Sequence, residues 1–111
     1  MQIKIYRPTP MFISKYPQVR LGFGMIRALQ EHPDICKDNF LLEYDTITTA
    51  KTLDEIFSIC QNDNPGRHLP LPSGSLSTGD VVWVQGNAKL AQGYYFCDIV
   101  GWVTLPNFER S

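Results

Sequence analysis

The chain of 111 residues is long enough to bury one hydrophobic core and too short for two. It is 43% hydrophobic and 19% charged, and six Phe, five Tyr and two Trp distinguish it from disordered chains. A formal net charge of −1 excludes both a strongly basic surface for phosphate backbones and a strongly acidic surface. We predict a single domain over residues 1–111.

The N-terminal third contains one clear strand pattern. Residues 2–7 alternate apolar and polar side chains, which is typical of a half-buried strand. Prolines interrupt residues 9–19, and this favours an irregular loop or a short turn of helix. Helical spacing of apolar residues over 20–31, followed by a stop at Pro33, predicts a first helix.

The middle of the chain is predicted to form one strand and one helix. Residues 40–48 form the strand, and a period of two places Phe40, Leu42 and Tyr44 on one face. Thr52 and Glu55 form a capping box that starts a second helix, expected to end near residue 62. The apolar stripe of this helix consists of Leu53, Ile56, Phe57 and Cys60.

The last third is predicted to be a meander of three strands. Turn-forming residues over 68–78 make that stretch a connector. Strand-forming residues then occupy 80–85, 93–99 and 101–105, with glycine-containing turns between them. The whole pattern predicts an α+β domain, with two helices packed on one face of an antiparallel or mixed sheet of about five strands.

The three cysteines predict neither a disulfide framework nor a metal site. Cys36, Cys60 and Cys97 are widely spaced and include no CxxC pair, which fits a reducing compartment and the cytoplasm. A zinc site would have to recruit His68, but no two candidate ligands are closely spaced. We expect no metal, no cofactor, no export signal and no membrane span.

Common enzyme signatures are absent, so no catalytic residue is assigned. The chain contains no Walker A sequence, no GxSxG and no HExxH. A small hydrolase or transferase remains an alternative if folding brings four groups into one cleft with perturbed pKa values. These groups are His68, Asp80, Cys97 and Asp98.

Aromatic residues are concentrated on the last three strands and suggest a binding surface. Because strand side chains alternate, Tyr95 must face away from Tyr94 and Phe96, so both faces of the sheet carry aromatic rings. One face would be core, and the other could form a stacking or protein-binding platform unless loops or the first helix cover it. The candidate binding residues are Trp83, Tyr94, Phe96 and Trp102.

The C-terminal half resembles the YodL-like domain family. The resemblance is carried by SLSTGDVV at 75–82, GYYFCD at 93–98 and GWVTLPNF at 101–108. Tyr44-Asp45, TLDEIF at 52–57 and Asn64-Pro65 fall in the same order, so the likeness spans about residues 40–108. It implies a small protein of the kind found in bacteria, phages and mobile elements, with no known substrate or catalytic residue.

We therefore expect a non-enzymatic accessory protein, of phage or mobile-element origin, that binds a host or defence protein through its aromatic strands. The alternative is a nucleic-acid-associated module that uses Trp83, Tyr94 and Phe96 with Lys89 or Arg110. Dispersed basic residues and a slightly negative charge disfavour it. The sequence leaves the oligomeric state open.

Overall fold

A computed structural model describes residues 1–20, 35–61, 71–99 and 101–109 of the chain. Nearly all of the predicted helix over 20–31 lies outside these residues, and Arg20 ends a short 3-10 helix, Pro17–Arg20. A second 3-10 helix is Lys37–Asn39. The main elements are β1 (Gln2–Pro8), α1 (Pro10–Lys15), β2 (Phe40–Ile47), α2 (Leu53–Ile59), β3 (Val81–Val84), β4 (Gly93–Asp98) and β5 (Gly101–Thr104).

The five strands form one antiparallel sheet in the order β2-β1-β3-β4-β5. β1 lies inside the sheet because it pairs with β2 on one side and with β3 on the other. β3, β4 and β5 follow one another as neighbours, which confirms the predicted C-terminal meander. The α+β fold class is also confirmed.

Alternation along the strands gives the sheet two apolar faces. Ile3 and Val82 belong to a cluster on the face covered by α2, where Ile56 is fully buried. Tyr6 and Phe96 belong to a second cluster on the opposite face, which is covered in part by α1 and the segment 105–108. α1 and α2 therefore pack on opposite faces of the sheet. The prediction that two helices share one face involves the helix over 20–31, nearly all of which lies outside the described residues.

The prediction that Phe40, Leu42 and Tyr44 share one face of β2 is wrong. Ile5 pairs with Tyr44 but the next residue, Tyr6, pairs with Leu42, so an extra residue on β2 interrupts the register. This β-bulge reverses the alternation along the strand. Phe40 therefore joins the cluster on the α1 face, whereas Tyr44 packs against the cluster on the α2 face.

α2 begins as its sequence predicts. The Thr52 hydroxyl accepts the Glu55 N–H at 3.1 Å, while the Glu55 carboxylate receives the N–H of Lys51 rather than that of Thr52. The helix ends at Ile59, three residues earlier than expected, with buried Cys60 as its C-cap. Phe57, assigned to the apolar stripe, is 37% exposed.

We expect Thr52→Ala to lower the free energy of unfolding by about 1 kcal/mol, because the substitution removes the oxygen that caps α2. Urea denaturation followed by circular dichroism measures the change. The matched control is Thr49→Ala, at an exposed threonine in the preceding loop, which should change stability by less than about 0.5 kcal/mol. Equal effects of the two substitutions would contradict the capping role.

Candidate functional site

The four aromatic residues predicted to bind a partner do not share one surface. Trp83 and Tyr94 are cross-strand neighbours on the α1 face, and both are half-buried. Phe96 is only 2% exposed, so its ring belongs to the core of that face. Trp102 packs against the cluster on the opposite face, and its indole N–H donates to the Asp54 carboxylate at 3.3 Å.

Trp83 and Tyr94 are both held by neighbouring side chains. The Lys4 ammonium lies 5.0 Å from the centre of the Trp83 ring, a cation–π distance. The Tyr94 ring packs on Phe108 with centroids 4.7 Å apart, and its hydroxyl donates to Glu109 at 2.6 Å. Burial and this hydrogen bond raise the pKa of Tyr94 above its ordinary value.

The proposed catalytic groups are only partly brought together. Cys97 and Asp80 are adjacent, since the backbone N–H of Cys97 donates to the Asp80 carbonyl at 2.9 Å. The Asp98 carboxylate accepts the N–H of Ile99 at the turn, and His68 lies outside the described residues. Burial, with a smaller contribution from Asp80, raises the pKa of the Cys97 thiol to about 12.

The centre of the site is a buried cluster of charged residues around Asp80. The Asp80 side chain has no exposure, and its two oxygens accept from Arg7 at 2.7 Å and from Arg20 at 2.6 Å. The Ser77 N–H adds a third hydrogen bond at 2.7 Å. Burial raises the pKa of the Asp80 carboxyl, and the two guanidinium groups and this N–H oppose that rise.

Arg7 links this carboxylate to strand β2. Its Nε donates to Glu43 at 2.8 Å, and its Nη1 donates to Asp80 and to the Ser75 carbonyl. Its Nη2 donates to the Gly74 carbonyl. One side chain on β1 therefore holds β2 on one side and the segment 74–80 on the other.

The turn before Asp80 accepts only glycine. Gly79 has a φ of +98°, and a Cβ there would lie 2.5 Å from the Val19 carbonyl oxygen. This close approach brings the 3-10 helix Pro17–Arg20 against the start of β3. Arg20 can then reach both Asp80 and the Thr78 carbonyl, at 2.6 and 3.1 Å.

A cleft of about 450 Å³ opens beside the charged cluster, at the edge of the sheet. Arg7, Arg20 and Glu43 supply its charged lining, and the exposed Ser73 lines it too. The remaining lining residues are Pro8, Pro10, Leu41 and Leu42. The cleft therefore combines a charged floor with apolar side chains, as ligand sites often do.

Sequence reasoning missed this site except for Asp80. Arg7 and Arg20 are separated from Asp80 by 73 and 60 residues, and nothing in their local sequence marks them as partners. The one available signal was Arg7 itself, a charged residue at the end of a half-buried strand. Pairing within a sheet, rather than spacing along the chain, brings these groups together.

A larger groove of about 830 Å³ lies where the start of α2 meets the loop after β3. Lys51 and Lys89 line it together with Glu55, so its charged side chains leave a small excess of positive charge. In an adjoining pocket Trp102 lies beside both lysines. Among residues 1–20, 35–61, 71–99 and 101–109, no three His, Cys, Asp or Glu side chains are placed to hold a metal ion.

No helix within the described ranges is long and apolar enough to cross a membrane. In comparisons with known proteins, no family model, no curated protein and no solved structure matches this chain. The resemblance to the YodL-like family therefore stays a prediction. The fold and the site define an α+β protein with a charged cleft at one edge of its sheet.

We expect Asp80→Asn to lower the free energy of unfolding by about 3 kcal/mol, because it leaves two guanidinium groups without their shared buried anion. The matched control is Asp45→Asn, where an exposed carboxylate accepts a hydrogen bond from Gln2. That change should cost about 1 kcal/mol or less. Urea denaturation compares the two variants, and a small effect at residue 80 would show that the cluster is not structurally important.

We expect the native thiols to react slowly with Ellman's reagent at pH 8. All three cysteines are buried, and burial raises the pKa of Cys60 to about 11 and that of Cys97 to about 12. The thiolate fractions of Cys60 and Cys97, and with them the reaction rates of these two thiols, should fall about a hundredfold or more below those in the urea-unfolded chain. Thr49→Cys supplies an exposed control thiol, and a fast native reaction at Cys97 would revive a nucleophilic role.

Proposed function

We propose that this chain is a non-enzymatic binding protein that engages a protein partner by adding the partner's strand to the edge of its sheet. The observation that supports this most directly is the exposure of apolar side chains on β2. Leu41, Leu42 and Ile47 are 60%, 51% and 79% exposed on a strand of eight residues. Long edge strands with exposed apolar side chains are sites where other chains pair.

The position of β2 in the sheet supports the same proposal. β2 and β5 are the two edge strands of the sheet, and the only strand neighbour of β2 in the described part of the chain is β1. It carries neither a lysine nor a proline, two residues that commonly block pairing at an edge, and its β-bulge leaves residues 44–47 in regular register with β1. Glu43 and Asp45 are the charged residues of the strand. The cleft beside Leu41 and Leu42 would extend such a contact beyond the strand itself.

The aromatic strands contribute less to this proposal than the sequence predicted. Phe96 is core, and Trp83 and Trp102 lie on opposite faces. The same division disfavours the nucleic-acid alternative, which needs several rings on one surface near basic residues. An enzymatic role has less support still, because the Cys97 thiol is buried and Asp80 is occupied by two arginines.

The setting of the protein is part of the proposal. Three free, buried cysteines support a reducing compartment and hence the cytoplasm. A phage or mobile-element origin, with a host or defence protein as the partner, rests on the YodL-like resemblance alone.

We expect Leu42→Lys and Ile47→Lys, combined in one variant, to abolish capture of the protein partner from nuclease-treated bacterial lysate. The added lysines place charge on the apolar edge, where a pairing strand would have to bury it. Ile99→Lys is the matched control, because Ile99 is 61% exposed at the turn between β4 and β5. Quantitative mass spectrometry of the captured proteins measures the effect.

The control variant should retain a stoichiometric partner, and both variants should unfold at nearly the same urea concentration as the original chain. Equal capture by the double variant would contradict strand addition at β2. Loss of all capture on nuclease treatment of the original chain would instead favour a nucleic-acid-associated module.

A further inference from the structure

The direction of β2 determines which end of an added strand reaches the cleft. Every neighbouring pair in the sheet is antiparallel, and β2 runs from Phe40 at the cleft end to Ile47 at the far end. A strand that continues this pattern runs the other way along β2, from Ile47 towards Leu41. Since Leu41 and Leu42 line the cleft, its C-terminal end arrives there.

Arg20 is the charged group in the cleft that can meet this end. Its side chain is 31% exposed, whereas the Asp80 and Glu43 side chains are 0% and 11% exposed. The positive group in the cleft is therefore more accessible than either of the acids that balance it. A ligand entering from solvent meets the Arg20 guanidinium before either carboxylate.

The hydrogen bonds of the two arginines differ in a way that matters for binding. Arg7 uses Nε, Nη1 and Nη2 to hold Glu43, Asp80 and two carbonyls. Among the residues described, Arg20 bonds to Asp80 and the Thr78 carbonyl through Nη1 alone. Within the described part of the chain, no acceptor is bound to its Nε or Nη2, whose N–H groups lie in the planar arrangement that suits a carboxylate.

We propose that the cleft binds the C-terminal carboxylate of an extended peptide that pairs antiparallel with β2, with Arg20 as the residue that holds the carboxylate. This inference rests on the proposed function, which it refines by naming the chemistry of the partner. The last side chain of the peptide is apolar, because Pro8, Pro10, Leu41 and Leu42 surround the position that it would occupy. The partner is thus a protein with an extended, apolar C-terminus.

The test compares two forms of one probe, a fluorescein-labelled hexapeptide of alternating threonine and valine, with a free C-terminal carboxylate or with a C-terminal amide. Fluorescence polarisation at pH 7 and low salt measures both affinities. We expect the free acid to bind the original chain about tenfold more tightly, the effect of one charge-assisted interaction.

Two variants test the role of Arg20. Arg20→Gln removes the guanidinium, and Ser73→Glu adds a negative charge at an exposed residue of the cleft lining without altering the residues of the buried cluster. Both should eliminate most of the preference for the free acid, and Ser73→Glu does so even if Arg20→Gln impairs folding. Gln92→Glu is the matched control, since it adds the same charge at an exposed residue outside the cleft and should keep the preference.

Each other outcome overturns the inference. Equal affinity for acid and amide, with both weakened by Ile47→Lys, would leave strand addition supported and refute the carboxylate site. A preference for the acid that survives in both Arg20→Gln and Ser73→Glu would show that another group binds the carboxylate. If neither peptide binds, the proposed chemistry of the partner is refuted. Strand addition itself is tested separately, by the capture of a protein from lysate.

Discussion

The fold depends on the ion pairs and hydrogen bonds that compensate the buried negative charge of one carboxylate, that of Asp80. Asp80 has no contact with solvent, and an unpaired charge in such a position would cost several kcal/mol. Arg7, Arg20 and the Ser77 N–H together satisfy it. Because the two arginines come from β1 and from the 3-10 helix Pro17–Arg20, the chain cannot satisfy Asp80 without bringing both of these distant segments to the turn before β3.

The pairing of Asp80 with both arginines also shapes the cleft beside the edge strand β2, the surface for which we propose a function. Arg7 reaches Asp80 from β1 and at the same time holds Glu43 on β2, so the edge strand is tied to the buried charge. Arg20 approaches from the other side and stays partly exposed. The cleft that both arginines line is therefore a consequence of their pairing with Asp80. It places the Arg20 guanidinium next to the apolar side chains of Leu41 and Leu42 on β2.

The aromatic residues have a different role from the one that their clustering suggests. The sheet has an apolar cluster on each face, so most of the rings on β3, β4 and β5 contribute to one of two cores. Phe96 and Phe108 are buried on the α1 face, and Tyr95 is buried on the α2 face. Three of the exposed large apolar side chains lie on the edge strand β2, at the opposite end of the sheet from β5.

The sequence by itself determined the local features of this protein: the α+β class, the strand β1, the Thr52 cap and the C-terminal meander, because each depends on periodicity or capping within a few residues. Tertiary structure decided the β-bulge opposite β1, the placement of α1 and α2 on opposite faces, and the partners of Asp80. Those features depend on pairing between segments far apart in the chain, and local side-chain patterns carry no information about which distant residue will supply a register shift or a counter-charge.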